Sequence, residues 1–411
     1  MERKAWILLA VACVAAATVA AGAAPAVRFD RNIKVGIVDT YSGPPAVFGN
    51  DALNGFRLAL QEINRDGVHG ARIEFVTRDE RFSPEIGLSM ARELVLQERV
   101  DVLVGTINSA TALAISAFAR EQRVPFIVWI SKSEAITGAR GHRYVFSTTE
   151  NTAMAGKALA EALARRGYTR FWLAAEDYEY GHAVTNSFWR FMKRVKPEAE
   201  LVNQTWWRTG EPDLVPYLTQ IMQARPQPQA VFFGTGGAGM ANVLRTMQVI
   251  GFAQRLPSAI HTAIDVTVLR PLGTAAPEGV FGTTDYLFYY PDTPANRKFV
   301  QDFQAAYRDP PGFPAFHGYI TAHFIAEAFR RARSLDRERF VDALEGLRVQ
   351  TPVGEVEMRA CDHQAMLPLF FGATRRDPRF PFLVAGDLVT IPGRDVMPTC
   401  DDIRRARERA R

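Results

Sequence analysis

Strand-like and helix-like patterns of apolar residues alternate along most of the chain. Short apolar runs at residues 33–39 and 100–106 are typical of buried strands, whereas residues 51–64 carry apolar side chains at helical spacing. The other predicted strands lie at residues 72–77, 125–131, 170–175, 200–206, 230–234, 258–261 and 279–284. This alternation predicts an α/β protein with doubly wound parallel sheets and helices on both faces.

The predicted strands divide into two sheets, and the chain length favours two Rossmann-like lobes. One set of strands ends before about Thr148, and a second set runs from about Asn151 to Leu272. Further helices are predicted at residues 295–308, 316–333 and 337–347, and short strands at 355–359 and 367–374. Helices and short strands this late in the chain indicate that the chain crosses back between the lobes. We assign residues 27–148 and about 279–350 to an N-terminal lobe, and 149–278 and about 351–400 to a C-terminal lobe. Residues 401–411 are expected to form a basic tail that is solvated and frayed.

A small polar loop follows the strand at 100–106 and leads directly into a helix. Thr106, Asn108 and Ser109 lie beside the helix start, where unpaired N–H groups and the helix dipole favour a small anion. The loop contains no lysine, acidic residue or nucleophile–histidine pair. Its chemistry therefore favours binding over catalysis, in a cleft outside the carboxyl ends of the strands.

The N-terminus has the pattern of a secretory signal peptide. A short charged start precedes an apolar run at residues 5–21, and small residues allow cleavage after about Ala23 or Ala26. The alternatives are a membrane anchor, for which the run is short, and a lipoprotein modified at Cys13. The chain after this segment, 47% hydrophobic and 23% charged over the full sequence, has the composition of a globular protein, which we expect in the periplasm. The formal charge of the full sequence, +5, is spread out, which argues against nucleic-acid binding.

Cysteine usage agrees with export. Cys361 and Cys400 are an even pair in an oxidising compartment, so we expect a disulfide between them. The chain-entropy model predicts a stabilisation of about 3–4 kcal/mol for a loop of this length. The bridge would hold the C-terminal segment in place.

Five segments together resemble a known family. The segment TYSGPPAVFGNDALNGFRLALQEINRDG resembles the opening of the periplasmic type I solute-binding proteins, the branched-chain amino acid (Leu/Ile/Val) binding family of ABC importers. VGTINSATALA, VPFIVWISKSEAIT, EDYEYG and DRERFVDALEGLRVQTPVGEVEMRACDHQ match in the same order. The resemblance implies the type I periplasmic binding protein fold, a monomer without a cofactor, and lobes that close over a ligand. It also implies docking on an inner-membrane ABC permease.

The resemblance assigns roles to individual residues. Thr106, Asn108 and Ser109 would bind the ligand carboxylate through hydroxyl, amide and backbone groups. Phe48 would contact the ligand side chain, although it could instead pack onto the helix that follows. Tyr180 matches the aromatic residue with which the second lobe closes over the ligand.

Three further positions bear on which ligand is bound. Ser131 and Lys132 occupy a run that is usually small and hydroxyl-rich in the family, and the presence of Trp129 and Lys132 in this region puts an aliphatic amino acid in doubt. Gly236 lies in a loop where the family often has aromatic residues, so its glycines would leave a roomier pocket. Asp265 would bind the ligand's ammonium group or would only cap a helix, in which case the ligand could lack an amino group. Asp285 could also line the cleft.

Enzymatic and nucleotide-binding alternatives have little support in the sequence. Residues 234–239 formally satisfy G-x-G-x-x-G, but the next acidic residue comes later than the dinucleotide fingerprint requires. No metal-ligand spacing, nucleophile elbow or Walker loop is present. We therefore predict a protein without enzymatic activity, metal or cofactor that captures a small organic carboxylate, either an amino acid or an aromatic or other carboxylic acid. The alternatives are a ligand-sensing subunit for a membrane receptor and an exported nicotinamide-dependent dehydrogenase.

Overall fold

The computed structural model describes residues 27–410, so the predicted signal peptide lies outside the described residues. The strands are β1 (Ile33–Asp39), β2 (Ile73–Asp79), β3 (Val102–Gly105), β4 (Phe126–Val128), β5 (Val145–Ser147), β6 (Arg170–Glu176), β7 (Glu200–Trp207), β8 (Ala230–Gly234), β9 (Ser258–Ile260), β10 (Phe281–Thr284), β11 (Arg348–Thr351), β12 (Gly354–Glu357), β13 (Leu369–Arg375) and β14 (Val384–Ile391). The helices are α1 (Ala46–Asp66), α2 (Pro84–Leu96), α3 (Ser109–Gln122), α4 (Thr152–Ala164), α5 (Glu179–Val195), α6 (Val215–Gln223), α7 (Gly237–Ile250), α8 (Val266–Leu272), α9 (Pro294–Tyr307), α10 (Phe313–Ala332), α11 (Arg337–Leu344), α12 (Gly393–Val396) and α13 (Cys400–Arg409). Within these residues, no helix is both long enough and apolar enough to cross a membrane.

The first lobe is built on a parallel sheet of five strands in the order β2-β1-β3-β4-β5. Val35 of β1 lies between Phe75 of β2 and Val102 of β3, which sets the register at the centre of this sheet. All residues of β3, β4 and β5 are buried. Such continuous apolar runs are expected for parallel strands covered by helices on both faces. The sequence pattern did not predict β5, a strand of three residues.

The second lobe is built on a mixed sheet of seven strands in the order β14-β13-β10-β9-β8-β6-β7. β6 to β10 are parallel, as predicted, whereas β13 and β14 run antiparallel at one edge. The two-lobed α/β architecture is thus confirmed, with an antiparallel edge that the sequence pattern did not predict.

The crossings between the lobes differ in detail from the predicted boundaries. β10 pairs with β9 in the second sheet, so the chain returns to the first lobe only after Thr284 and not near residue 279. α10 then packs along α1. Residues 363–365 pair with the edge of the first sheet at Ser147, so this part of the segment predicted for the C-terminal lobe lies on the N-terminal lobe. The β11–β12 hairpin forms a separate two-stranded sheet.

The C-terminal tail is an ordered helix, which corrects the expectation of a frayed end. The predicted disulfide joins Cys361 to Cys400 at the first residue of α13. Thr399 and Asp402 form a capping box that satisfies the N–H groups at the start of this helix. Arg407 donates to the backbone carbonyls of Thr137 and Gly138 in the first lobe. The tail is therefore fixed at both ends.

Candidate functional site

A cavity of about 900 Å³ lies between the two lobes, at the carboxyl ends of the parallel strands. This volume is near the upper end of the usual range for ligand pockets, which is about 300–1,000 Å³. Its large apolar side chains come from both lobes and include Phe48, Phe82, Ile107, Ile130, Tyr178, Tyr180 and Phe313. A pocket of this position and lining is the natural candidate for the ligand site of an open α/β fold.

Direct contacts join the two lobes across the cleft. Arg190 of α5 binds both carboxylate oxygens of Glu134 at 2.8 Å. Ser133 donates to Glu179 at 2.7 Å, and the ring centres of Phe82 and Tyr178 are 6.3 Å apart. These contacts hold the two lobes together.

Four of the nine predicted ligand-binding residues line the cavity, and five do not. Phe48, Lys132, Tyr180 and Gly236 are at its surface. Of residues 106–111, only Ile107 reaches the cavity. Thr106, Asn108, Ser109, Ser131 and Asp265 are buried and bonded to other parts of the chain.

The helix start beside Thr106 is occupied by carboxylates of the protein itself. The hydroxyl of Thr106 donates to Glu80, and the N–H of Ile107 donates to Asp39 at 2.9 Å. Asn108 caps α3 by accepting from Ala110. Burial raises the pKa of Asp39 to about 6, and burial together with the charge of Asp39 raises the pKa of Glu80 to about 8. A ligand carboxylate here would meet two acidic groups, so in this structure the loop supports the cavity wall.

The start of α7 in the second lobe is filled in the same way. Glu176, at the end of β6, accepts from the hydroxyl of Thr235 at 2.7 Å. A Cβ at Gly239 would lie 2.3 Å from the Glu176 carboxylate, so glycine is needed for that close approach. Burial raises the pKa of Glu176. The glycine-rich loop therefore holds a carboxylate at the position where a dinucleotide would place its pyrophosphate.

Glycines of the same loop lie against aromatic rings. A Cβ at Gly236 would lie 3.1 Å from the ring of Tyr180, and one at Gly237 would lie 3.5 Å from the ring of Phe48. Gly237 has a φ of 54°, which also favours glycine. Tyr180 and Phe48 thus occupy part of the space that the glycines leave.

Asp265 serves as a helix cap and not as part of the cavity wall. It accepts from the N–H of Thr267 at 2.8 Å and from the N–H of Phe313 at 3.1 Å. Burial raises its pKa to about 6. Its carboxylate joins the start of α8 to the start of α10, which positions the Phe313 ring.

A buried charge cluster lies beneath the cavity. Lys132 donates to Glu150 at 2.5 Å and to Thr149 at 2.8 Å, and its ammonium group is 4.5 Å from the centre of the Phe313 ring. His261 bonds to Glu150 at 2.8 Å and to the hydroxyl of Tyr180 at 2.9 Å.

His317 and Asp285 complete this cluster. They bond to each other at 2.7 Å, and Asp285 accepts from the N–H of Glu150 at 3.2 Å. Asp285, which the sequence suggested as a cleft residue, lies in the cluster and not on the cavity surface.

The cluster could have been found from strand ends. Glu150, His261 and Asp285 each follow a strand of the parallel sheets within three residues. Polar residues at these positions converge on the cleft in open α/β folds. The sequence pattern singled out Asp285 but not Glu150, because Glu150 follows the short strand β5, which was not predicted.

The cluster stabilises Glu150 as an anion. Burial alone would raise the pKa of Glu150, but Lys132 and hydrogen bonds from Asp285 and His261 hold it well below its usual value. Burial, followed by the charge of Glu150, raises the pKa of Asp285 well above its usual value. Burial lowers the pKa of His261 and, with Lys132, lowers that of His317. The buried ion pair of the cluster is thus that of Lys132 and Glu150.

The same cluster contains a donor set of the kind that binds metal ions. Glu150, Asp285 and His317 offer ligand atoms within 4.8 Å of one another. The ammonium group of Lys132 already contacts the Glu150 carboxylate. A metal ion would have to displace this buried cation, so the geometry fits a lysine ammonium better than a metal.

Known proteins share both the sequence pattern and the fold. The model of the family described as periplasmic binding protein matches residues 32–377. A Leu-, Ile-, Val-, Thr- and Ala-binding protein of Pseudomonas aeruginosa is 24% identical over 330 residues, which cover 79% of this chain and 85% of that protein.

Two solved structures extend this comparison. A solute-binding protein of an ABC transporter from Rhodopseudomonas palustris, in complex with 3,4-dihydroxybenzoic acid, has a TM-score of 0.79 at 22% identity and covers 88% of this chain and 98% of its own. Another from the same species, in complex with p-hydroxybenzoic acid, has a TM-score of 0.81 at 21% identity and covers 90% and 98%. The chain belongs to the periplasmic binding protein family, and within it to the type I proteins related to the branched-chain amino acid-binding proteins.

Proposed function

We propose that this protein is the extracytoplasmic solute-binding component of an ABC importer and that it captures a small aromatic carboxylic acid between its lobes. The observation that carries the proposal is a buried ammonium group, that of Lys132, at a cavity lined by aromatic side chains. Aromatic walls suit a flat ring, and a buried cation favours a carboxylate over a neutral group.

The acidic groups at the cavity favour an aromatic acid over an amino acid. An α-amino acid needs a carboxylate for its ammonium group, and Asp265 does not reach the cavity. Glu176 and Glu211 do line it, but Glu176 bonds to Thr235 and Glu211 pairs with Arg208. The benzoic acid complexes of two structural neighbours agree with this preference.

Transport and location follow from the family relationship. The structural neighbours are named as solute-binding proteins of ABC transporters, so we propose an inner-membrane ABC permease as partner and the periplasm as location. We propose that the protein acts as a monomer. Ligand binding would stabilise the closed arrangement through contacts with both lobes.

A thermal-unfolding series tests the ligand class. The mature protein is measured with 4-hydroxybenzoate, with its neutral analogue 4-hydroxybenzamide and with leucine. We expect only the benzoate to raise the unfolding temperature, with a stabilisation of about 2.7 kcal/mol when the ligand concentration is 100 times its Kd. A shift with leucine and none with the benzoate would contradict the proposal. A matching shift with the amide would remove Lys132 as the carboxylate partner.

A further inference from the structure

The buried cluster connects the cavity to both lobes through one chain of hydrogen bonds. Lys132 follows β4, Glu150 lies between β5 and α4, His261 follows β9, and Tyr180 lies in the first turn of α5. The chain runs from Lys132 to Glu150, His261 and Tyr180 with distances of 2.5, 2.8 and 2.9 Å. Lys132 and Tyr180, at its two ends, line the cavity.

The charges in this chain are balanced before any ligand binds. The ammonium group of Lys132 is neutralised by Glu150, and both groups are almost completely buried, with side-chain exposures of 5% and 0%. A ligand carboxylate placed at Lys132 adds a second negative charge to one cation. Arg81 and Arg245 also line the cavity, but both are exposed and neither bonds to Lys132, Glu150 or His261. Because an uncompensated buried charge is costly, a further positive charge within the buried chain would favour ligand binding.

We propose that His261 takes up a proton when a carboxylate ligand binds at Lys132 and that Glu150 is the positioning residue that holds both cations. The inference rests on the proposed function, since it requires an anionic ligand. The bound state then contains two cations, Lys132 and His261, and two carboxylates, those of Glu150 and the ligand. The proton comes from solvent, and no covalent bond changes.

His261 can take up a proton and keep both of its hydrogen bonds. The Glu150 carboxylate only accepts, so the neutral ring of His261 donates from Nε2 and accepts at Nδ1 from the Tyr180 hydroxyl. After protonation Nδ1 donates, and the Tyr180 oxygen accepts instead. The hydroxyl proton of Tyr180 is then free to be donated to the ligand carboxylate in the cavity.

The other titratable groups around His261 are poorly suited to this role. Lys132 is already paired with Glu150, and burial and the charge of Glu150 raise the pKa of Asp285, which favours the protonated form of this carboxyl before a ligand binds. His317 lies 4.0 Å from Glu150 and bonds to Asp285, whereas His261 bonds directly to Glu150. The pKa of His317 is also held well below its usual value by burial and by Lys132.

The sign of the pH dependence follows from proton uptake. Burial lowers the pKa of His261 in the free protein, and the ligand's charge would raise it in the complex. Affinity is therefore low and constant above the pKa of the complex, rises as pH falls by at most about tenfold per pH unit, and levels off below the pKa of the free protein.

Calorimetric titration of the full mature protein with 4-hydroxybenzoate tests the inference. Repeating the titration in two buffers with different ionisation enthalpies counts the protons taken up, at several values between about pH 5 and 8. We expect the wild-type protein to take up close to one proton per ligand within the sloping region. His261→Gln, which preserves hydrogen bonding, should bind more weakly and take up no proton. His317→Gln is the matched control, and it should retain the wild-type proton count.

The outcomes separate this inference from the proposed function. Binding of 4-hydroxybenzoate without proton uptake by the wild-type protein would overturn the role of His261 and leave the proposed ligand class intact. Loss of proton uptake in His317→Gln but not in His261→Gln would also overturn it. No binding of 4-hydroxybenzoate at any pH would instead overturn the proposed function. The number of protons taken up by the wild-type protein is measured without any variant. The test therefore does not depend on whether the two variants fold.

Discussion

Lys132 and Glu150 form a buried ion pair on which both the stability and the proposed chemistry of the cleft depend. The side chains are 5% and 0% exposed, and their charged atoms are 2.5 Å apart. Lys132→Met removes the cation and leaves Glu150 buried without a partner. We expect a loss of about 3–5 kcal/mol in the free energy of unfolding at neutral pH, as is typical when one partner of a buried pair is removed.

A double-mutant cycle checks this prediction by urea denaturation. Lys132→Met/Glu150→Gln should recover most of the lost stability, because no uncompensated charge then remains. Arg297→Ala, which breaks an exposed pair with Asp292, serves as the control and should change stability little. A Lys132→Met variant as stable as the wild type would show that the pair does not stabilise the fold.

At the residue scale, the sequence predicted the cavity residues better than it predicted how the polar loop is used. Phe48, Tyr180 and Lys132 line the cavity as expected. Thr106 does not, because its partner Glu80 comes from the end of another strand, 26 residues away. Hydrogen bonds between strand ends depend on sheet order, which a local pattern does not contain.

The helices α1 and α10 of the first lobe cross at close range. A Cβ at Gly55 would lie 1.8 Å from the carbonyl oxygen of Ala315, and one at Gly318 would lie 1.9 Å from that of Ala52. These carbonyl oxygens belong to the helix backbone and cannot move aside as a flexible side chain can. The two glycines therefore set the distance between the helices.

Gly55→Ala should destabilise the protein although alanine is the better helix former. The helical preference favours alanine by about 1 kcal/mol, whereas separating two packed helices typically costs about 1–3 kcal/mol or more. Thermal and urea unfolding should show a net loss of stability. Gln61→Ala, an exposed position on the same helix, is the matched control and should be neutral or slightly stabilising. A stabilised Gly55→Ala variant would contradict the packing shown for these helices.

At the scale of elements, the alternation of apolar patterns predicted the central strands of the sheets but not the strands at their edges. β1, β6 and β8 were predicted within one residue because their apolar runs are continuous. β14 was missed because only its first three residues are buried and the rest is partly or fully exposed. α13 was taken for a frayed tail because its order depends on the Cys361–Cys400 bridge and on Arg407 contacting a distant segment.

The C-terminal segment that contains α12 and α13 forms an additional connection between the two lobes. After β14, α12 packs on α4 of the second lobe, and Lys157 donates to the carbonyl of Asp395 at 2.5 Å. α13 then lies on the first lobe, held there by Arg407 and by the disulfide. This segment spans both lobes. The other crossings between the lobes lie near Thr148, near Asp285 and between residues 365 and 369, so we expect the lobes to open about these short regions.

Closure is opposed by entropy and favoured by the contacts between the two lobes. The Glu134–Arg190 pair has the most direct geometry of these contacts. Its two parallel hydrogen bonds of 2.8 Å exist only while the lobes touch. The side chains are 27% and 42% exposed, so water screens the pair and its contribution is about 0.5–1 kcal/mol. Removing it should therefore weaken ligand binding by about two- to fivefold.

Comparing Arg190→Ala with the control Lys193→Ala separates an effect on closure from an effect on helix stability. Lys193 lies on the same helix but does not contact the other lobe. Calorimetry with 4-hydroxybenzoate should show the weaker affinity for Arg190→Ala alone, and small-angle scattering of the free protein should show a larger radius of gyration. Exchanging the charges in Glu134→Arg/Arg190→Glu should restore part of the affinity, because the attraction between the lobes is re-formed. Equal affinities for Arg190→Ala and Lys193→Ala would mean that this pair forms without favouring the closed state, and that closure depends on the aromatic contacts and the buried cluster instead.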